Sequence, residues 1–349
     1  MIEFSVIIPV RGINSFLKET IKYLKNQSFA DFEVLIVVDE KVDYDCKDTR
    51  FKFVVSGPVD PAVKRNLGAK KAKGKILAFL DDDAYPAADW LKKAYKYFSE
   101  KSDKPLNKSL DDPHYALCGP AVTPPNAHLL ERVSGYLLES WLVSGNTTYR
   151  HIPQKKRFIN DYPTVNFFVK KSAFKKVGGF SKGYWPGEDT KLCLDLYKKY
   201  HAKFLYDPEI VVYHHRRKLI IPFLKQVSRY GNQRGWFSRV FPATSRTPFY
   251  FVPSVFLIFL VGGFTLSSMF SPVQPFYILT LFLYETLLLI ESIRVLRKSN
   301  GDALVFLLFI IGVFLTHIIY GYSFIIGLLK KPPLQLRKID SGTGDYLGG

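Results

Sequence analysis

Three consecutive carboxylates, Asp81-Asp82-Asp83, follow the apolar run Ile76-Leu-Ala-Phe-Leu80. Adjacent carboxylates repel one another unless a cation or hydrogen-bond donors sit among them. Alternate residues of an extended segment face the same way, which puts Asp81 and Asp83 on one side. Hard carboxylate oxygens suit Mg2+ or Mn2+, and those ions in turn bridge phosphates. A solvated acidic turn capping the next helix is the competing reading, and the position directly behind an apolar strand weighs against it. A second pair, Glu188-Asp189, opens a helical pattern behind Gly178-Gly-Phe180 and Trp185-Pro-Gly187. The helix macrodipole favours carboxylates there, so N-capping accounts for the pair structurally. Chemically, one of the two could deprotonate a hydroxyl. His214-His215 supply either a further metal ligand or, beside Arg216-Arg217, an ordinary basic cluster.

These groups need elements to hold them. Phe4–Val10, Glu33–Asp39 and Phe53–Val55 read as strands covered on both faces, with a helix from Asn14 to about Asn26 between the first two. Asp60-Pro61 is a helix start, with Asp at the N-cap and Pro at the first helical position; Gly74 is the expected stop behind Lys73. Ile76–Leu80 is the next strand. Strand and helix in alternation imply a parallel sheet, with ligands beyond the carboxyl ends of the strands, where Asp39 and Asp81–Asp83 both fall. Residues 101–125 read as loops. Leu129–Val143 has helical periodicity, Thr164–Val169 and Ser172–Val177 read as strand then helix, Glu188–Tyr200 as helix, and Phe204–Tyr206 and Ile210–Tyr213 as closing strands.

The ordered set Val6-Ile-Ile-Pro-Val10, Val38-Asp39, Lys64-Arg-Asn-Leu-Gly68, Phe79-Leu-Asp-Asp-Asp83, Val177-Gly-Gly-Phe180 and Gly187-Glu-Asp189 resembles the family 2 inverting glycosyltransferases of GT-A fold, over roughly residues 4–215. Gln226-Val-Ser-Arg229-Tyr230-Gly231 and the apolar segments behind it look like the branch typified by succinoglycan-type exopolysaccharide glucosyltransferases. The resemblance implies an α/β domain with a Rossmann-like mixed sheet, a nucleotide-diphosphate sugar as donor and Mg2+ or Mn2+ as cofactor. By the same resemblance, Pro9, Val10, Arg11 and Asp39 would meet base and ribose, while Arg65 and Asn66 would hold nucleotide and diphosphate. Asp81 and Asp83 match the Asp-x-Asp motif, with Asp83 the direct metal ligand, Asp81 on ribose or metal, and Asp82 within the nucleotide site. His214 or His215 would add a ligand. Asp189 matches the catalytic base, with Glu188 beside it, and Trp185 and Asn166 would line the acceptor or sugar pocket, joined by Gln226 and Arg229. Two departures bear on substrate. Glu40-Lys-Val42 replaces the usual second Asp and small residues, which loosens the assignment to uridine. Tyr230 stands where processive synthases carry Trp, which favours adding one sugar over extruding a polymer.

The chain has 349 residues, 49 Lys and Arg against 31 Asp and Glu, and a formal charge of +18. Such a charge suits nucleic acid, but its placement argues for a membrane surface instead. No acidic residue lies between Glu209 and Glu285, whereas Arg216, Arg217, Lys218, Lys225, Arg229, Arg234, Arg239 and Arg246 crowd the stretch before the first apolar run. Basic residues flanking spans mark the cytoplasmic side and attract anionic lipid. The expected layout is a transferase domain over 1–215, a basic amphipathic interfacial segment over 216–249, three membrane helices near 250–270, 273–294 and 303–329, and a polar tail over 331–349. Tyr320-Gly-Tyr-Ser323 is a possible break in the third helix, and Glu285 is costly in hydrocarbon unless it faces a partner. Cys46, Cys118 and Cys193 have no disulfide or metal spacing, which suits a reducing compartment. The start Met1-Ile-Glu-Phe4 lacks a basic n-region, so the catalytic part is expected in the cytoplasm at the inner membrane. The expected acceptor is a polyprenyl-diphosphate-linked saccharide, with bare polyprenyl phosphate as the alternative.

Overall fold

The structure is a computed structural model, described for residues 2–99 and 115–332. The chain forms two compact units. One comprises residues up to Pro124 together with Ile152–His215; the other joins Pro125–His151 to residues 216–332. The helical stretch 125–151, expected within the first domain, therefore packs with the second unit.

In the first unit, β1 (Phe4–Pro9), β2 (Phe32–Val38) and β3 (Phe51–Val55) alternate with helices α1 (Ser15–Lys25) and α2 (Pro61–Lys71) and lead to β4 (Ile76–Leu80). Every residue of β1, β2 and β4 is buried, as their mostly apolar runs require, and the two polar exceptions pair, Ser5 Oγ donating to Glu33 Oε1 at 2.8 Å. Each fully buried Leu, Ile or Phe among them contributes about 1.5–3 kcal/mol relative to exposure. These strands run parallel in the order β3-β2-β1-β4. After the short β5 (Ala84–Pro86) and helix α3 (Trp90–Ser99), the sheet continues through β6 (Ala116–Cys118), β8 (Arg157–Ile159), β9 (Asn166–Lys170) and β10 (Phe204–Tyr206) as β4-β9-β6-β10-β8. Because β9 runs antiparallel to both β4 and β6, the sheet is mixed. A second small sheet, β5-β11-β7, is built from β7 (Ala121–Val122) and β11 (Val212–His214).

Asn14 caps α1 through Oδ1, which accepts from Leu17 N at 2.7 Å. Asp60 occupies the N-cap of α2 but makes no side-chain cap bond, so Pro61 alone marks that start. Gly74 is not the positive-φ stop of α2. A Cβ there would lie 2.6 Å from the Phe4 carbonyl carbon, so the glycine is needed where the chain crosses β1 closely. Of the loop expected over 101–125, residues 101–114 lie outside the described residues, while β6 and β7 occupy strand positions within the remainder.

The core of this unit contains one polar hub. Asn166 is fully buried. Its amide nitrogen donates to Gly119 O at 2.7 Å and Ile210 O at 2.6 Å, and its Oδ1 accepts Trp90 Nε1 at 2.9 Å. Both ends of the amide are thus spent on the fold, and the expected role in an acceptor or sugar pocket does not fit this placement.

In the second unit the periodic stretch 129–143 is two helices, α4 (Leu129–Glu139) and α5 (Trp141–Ser144). Ser140 separates them in an extended conformation, and its hydroxyl donates to Glu291 at 3.0 Å. In the first unit, α6 (Lys171–Lys176) and α7 (Glu188–Tyr200) follow. The second unit then continues with α8 (Ile221–Val240), α9 (Pro242–Ser245), α10 (Pro248–Met269), α11 (Gln274–Lys298) and α12 (Ala303–Leu329). Pro248–Met269, Ser271–Lys298 and Ala303–Leu329 are long and apolar enough to cross a membrane. α12 is continuous through Tyr320–Ser323, and its small residues serve packing. A Cβ on Gly321 would lie 2.4 Å from Pro253 O, and Ser323 Oγ meets Ser228 Oγ at 2.8 Å. On α8, a Cβ on Gly235 would reach within 2.1 Å of Phe324 O, so Gly231-Asn-Gln-Arg-Gly235 lets α8 and α12 approach closely. His317 is bonded to Leu142 O at 2.8 Å and Tyr284 Oη at 3.1 Å. Glu285 is exposed on α11. Residues 333–349 of the expected tail lie outside the described residues.

Replacing Asn166 by Ala leaves the Ile210 carbonyl and the Trp90 indole N–H without their buried partner, at about 1–3 kcal/mol each, while Gly119 O keeps the Tyr162 hydroxyl at 2.6 Å. The expected outcome is a drop of several degrees in the thermal unfolding midpoint of the purified protein in detergent. An unchanged midpoint would contradict the structural role.

Candidate active site

The parallel register sets the carboxyl ends of β1, β2 and β4 side by side. Pro9 pairs with Val37 and Ile7 with Phe79, so Arg11 emerges level with Asp39, and Asp81 level with Pro9. Asp39 N–H donates to Arg11 O at 2.9 Å, and Gly57 N–H donates to Asp39 O at 3.0 Å. Pro9, Val10, Arg11 and Asp39, selected as base and ribose contacts, therefore share one corner of the sheet edge.

Helix α2 runs beneath that edge and carries three consecutive polar residues into it. The Lys64 ammonium is buried and bonds the Asp39 carboxylate and Val10 O. Arg65 is also buried. Its Nη2 holds Asp81 Oδ1 at 2.7 Å and its Nη1 holds Glu188 Oε1 at 2.7 Å. Burial opposes the guanidinium charge, but Asp81, Glu188 and Asp189 more than offset it and hold its pKa above the ordinary value. Asn66 has a different task from the nucleotide contact expected of it. Its Nδ2 donates to Phe180 O at 2.8 Å and its Oδ1 accepts Phe180 N–H at 2.9 Å. Gly179 sits at φ +75°, where a Cβ would lie 2.7 Å from Asn66 Oδ1. The amide thus clamps the Gly-Gly-Phe turn that feeds the loop carrying Trp185 into α7.

Glu188 and Asp189 form the first turn of α7. Glu188 is buried, with Oε1 on Arg65 and Oε2 accepting Gly187 N–H at 3.0 Å. Asp189 is half-buried and accepts Thr190 N–H at 2.7 Å. Trp185, half-buried, stands four residues before it in the same loop.

The three aspartates diverge. Asp81 faces Arg65. Asp82 turns to α1, where Asn14 Nδ2 donates to its Oδ2 at 2.8 Å and ties it to that helix. Burial and then the Asp83 charge push the Asp82 carboxyl up to about 7. Asp83 meets His214 Nε2 at 3.2 Å. The second sheet makes that contact, since β11 pairs with β5 so that His214 lies opposite Ala84. His215 points the other way, bonding Glu19 at 2.7 Å and lying against the Phe16 ring with centroids 4.7 Å apart. Of the two histidines, only His214 is placed beside the expected metal ligand. Among the described residues no group of three or more His, Cys, Asp or Glu gathers in a metal-holding arrangement. Asp83 and His214 are nevertheless an oxygen and a nitrogen donor side by side, a set suited to an ion completed by phosphate and water oxygens. Gln226 and Arg229, selected for the acceptor, lie on α8 in the second unit, where Gln226 Nε2 donates to Tyr230 Oη at 3.1 Å.

Neither the Lys64–Asp39 pair nor the double engagement of Arg65 is among the contacts that the family resemblance implies. The signal for both was present in Lys64-Arg-Asn66 on a helix that follows a strand ending in Asp39, because charges on a helix facing a buried sheet need partners.

The family model for glycosyl transferase family 2 matches residues 5–178. A pre-mycofactocin glycosyltransferase of Mycobacterium tuberculosis is 27% identical over 241 residues, covering 66% of this chain and 46% of that protein. A dolichyl N-acetyl-alpha-D-glucosaminyl phosphate 3-beta-D-2,3-diacetamido-2,3-dideoxy-beta-D-glucuronosyltransferase of Methanococcus voltae is 22% identical over 340 residues, covering 93% of this chain and 97% of that protein. Other curated relatives match over as little as 12% of their length, so the chain spans less than half of most of them. A mannosyltransferase of Pyrobaculum calidifontis, solved in complex with GDP-Man and Mn2+, superposes with a TM-score of 0.51 at 15% identity over 94% of this chain and 87% of that one. That likeness establishes the fold, a mixed-sheet GT-A domain followed by apolar helices. Since the family match runs through the very strand ends and helix that assemble Asp39, Arg65 and Asp81, the chain belongs to glycosyl transferase family 2.

Proposed function

We propose that this glycosyltransferase moves one sugar, with inversion, from a nucleotide-diphosphate donor to a polyprenyl-linked saccharide at the cytoplasmic face of the inner membrane. The observation that carries the reading is the Arg65 bridge, which fixes Asp81 at the strand end and Glu188-Asp189 at the α7 N-terminus in one frame. Supporting the lipid-borne acceptor, the similarity to the Methanococcus voltae protein, named for a dolichyl-phosphate-linked acceptor, continues through the apolar helices. The basic, aromatic composition of residues 216–249 suits the headgroup layer of a membrane.

Both Glu188 oxygens are occupied, so the basic role falls to Asp189. Asp189 takes the proton of the acceptor hydroxyl as that oxygen attacks the anomeric carbon from the side opposite the diphosphate. The bond from that carbon to the diphosphate oxygen breaks, its electron pair leaves with the nucleotide diphosphate, and the configuration inverts. Asp39 and the Pro9–Arg11 turn hold the base and ribose, and Trp185 lines the sugar pocket. A Mg2+ or Mn2+ ion held by Asp83 and His214 would neutralise charge on the leaving diphosphate.

Three outcomes test this reading with the purified protein, a panel of nucleotide sugars and both lipid acceptors, saccharide-bearing polyprenyl diphosphate and bare polyprenyl phosphate. Asp189→Asn is expected to lower turnover about 1,000-fold while nucleotide affinity stays within about twofold; full turnover in that variant would remove Asp189 from the chemistry. Arg65→Lys cannot span two carboxylates and is expected to cost about 100-fold in kcat through misplacement. Chelation is expected to abolish transfer and added Mn2+ to restore it, with Asp83→Ala and His214→Ala each raising the Mn2+ requirement. Transfer that survives complete chelation would refute the metal assignment.

A further inference from the structure

The least expected group in the first unit is Lys64. An ammonium with a side-chain exposure of 1% lies directly under Asp39, whose side chain is 20% exposed. Burying a lysine so completely is costly unless it is paired. Its partners are the Asp39 carboxylate, through Oδ1, and the carbonyl of Val10, both at the corner of the sheet edge read above as the base site. The backbone of Asp39 is also held from two sides, by Arg11 O and Gly57 N–H, and Lys64 anchors its carboxylate through Oδ1.

We infer that Lys64 sets the base specificity of the donor, by spending one oxygen of Asp39 and leaving the other as a single outward acceptor. This inference rests on the nucleotide-sugar reading of the site. An ammonium has donors only, so it must take a carboxylate oxygen. A single fixed acceptor matches one ring N–H flanked by carbonyls, the imide edge of uracil or thymine. Guanine offers two adjacent donors, N1–H and the 2-amino group, which are satisfied together only by both oxygens of a carboxylate. Cytosine and adenine place a ring acceptor where uracil places its N3–H, so in the same pose that ring nitrogen is set against the carboxylate. The donor class is therefore a uridine or thymidine diphosphate sugar, and rejection of the other bases comes from polar groups left unpaired.

The pair also predicts what happens when the carboxylate becomes an amide. In Asp39→Asn, Lys64 still requires the oxygen, which forces the –NH2 outward. The site then offers a donor where it offered an acceptor, mismatching uracil and matching the ring acceptor of cytosine.

The test is binding of UDP, dTDP, GDP, CDP and ADP to the full chain in detergent with Mn2+, measured by calorimetry. The wild type is expected to bind UDP and dTDP at least about tenfold more tightly than GDP, CDP or ADP. Asp39→Asn is expected to weaken UDP at least about tenfold and to reverse the CDP-to-UDP preference. Lys64→Met, which frees the second oxygen, is expected to shrink the UDP-to-GDP preference about fivefold or more. If Lys64→Met does not fold, the Asp39→Asn reversal stands as the independent readout. A merely structural pair would shift all five affinities together, and that result overturns the inference, as does equal binding of UDP and GDP by the wild type. Failure of all five diphosphates to bind overturns the donor reading itself, which separates the two.

Discussion

Arg65 is buried between Asp81, at the end of a central strand, and Glu188, at the start of a helix more than a hundred residues later. A guanidinium is suited to this because its planar fork reaches two carboxylates at once without rearrangement. The two carboxylates in turn hold its pKa above the ordinary value, against the burial that opposes its charge. Breaking such a pair costs about 3–5 kcal/mol, because a charge stays buried without its counterpart. The positions of the aspartate cluster and of the candidate base are consequently one structural fact, and each depends on the packing of α2 under the sheet.

The neighbours of Arg65 repeat this arrangement on a smaller scale. Lys64 fixes Asp39, and Asn66 fixes the Gly178-Gly-Phe180 turn, so three successive residues of one helix secure three separate segments of the site. Asp82 is secured from α1 by Asn14, the residue that caps that helix. Side chains from α1 and α2 thus tie down the segments at the strand ends, the kind of pre-organisation that positioning chemistry demands. The second unit keeps its own internal order by another means. Glycines at 231, 235, 321 and 327 let helices approach to backbone contact, and its buried polar groups Glu291 and His317 are bonded within the unit.

Local chemistry made much of the fold legible in the sequence. Nearly continuous apolar runs, interrupted by Ser5 and Glu33, located β1, β2 and β4 to within a residue or two, because strands buried on both faces are predominantly apolar. The Asp60-Pro61 start and the lengths of α10 and α12 were equally readable, since proline geometry and hydrocarbon thickness are local constraints. The carboxylates at 81–83 and 188–189 stood out because acidic residues directly behind a buried strand, or at a helix start, are conspicuous by type and place.

Residue type and spacing alone therefore determined the family, the strand-end carboxylates and the three apolar helices. Which side chain serves the site and which serves the fold was decided only by the tertiary structure. Asn166 and Asn66 had the composition of ligand contacts but spend both ends of their amides on backbone groups distant in sequence. His214 and His215 are neighbours of the same type, yet at the end of β11 one side chain meets Asp83 and the other Glu19. Arg65 and Lys64 look alike as helix cations, and what each holds follows from which strand end its turn of α2 faces. The physical reason is common to all of them: a polar side chain buried on folding takes the partner that three-dimensional packing supplies, and the pattern of residues along the chain carries no record of that partner.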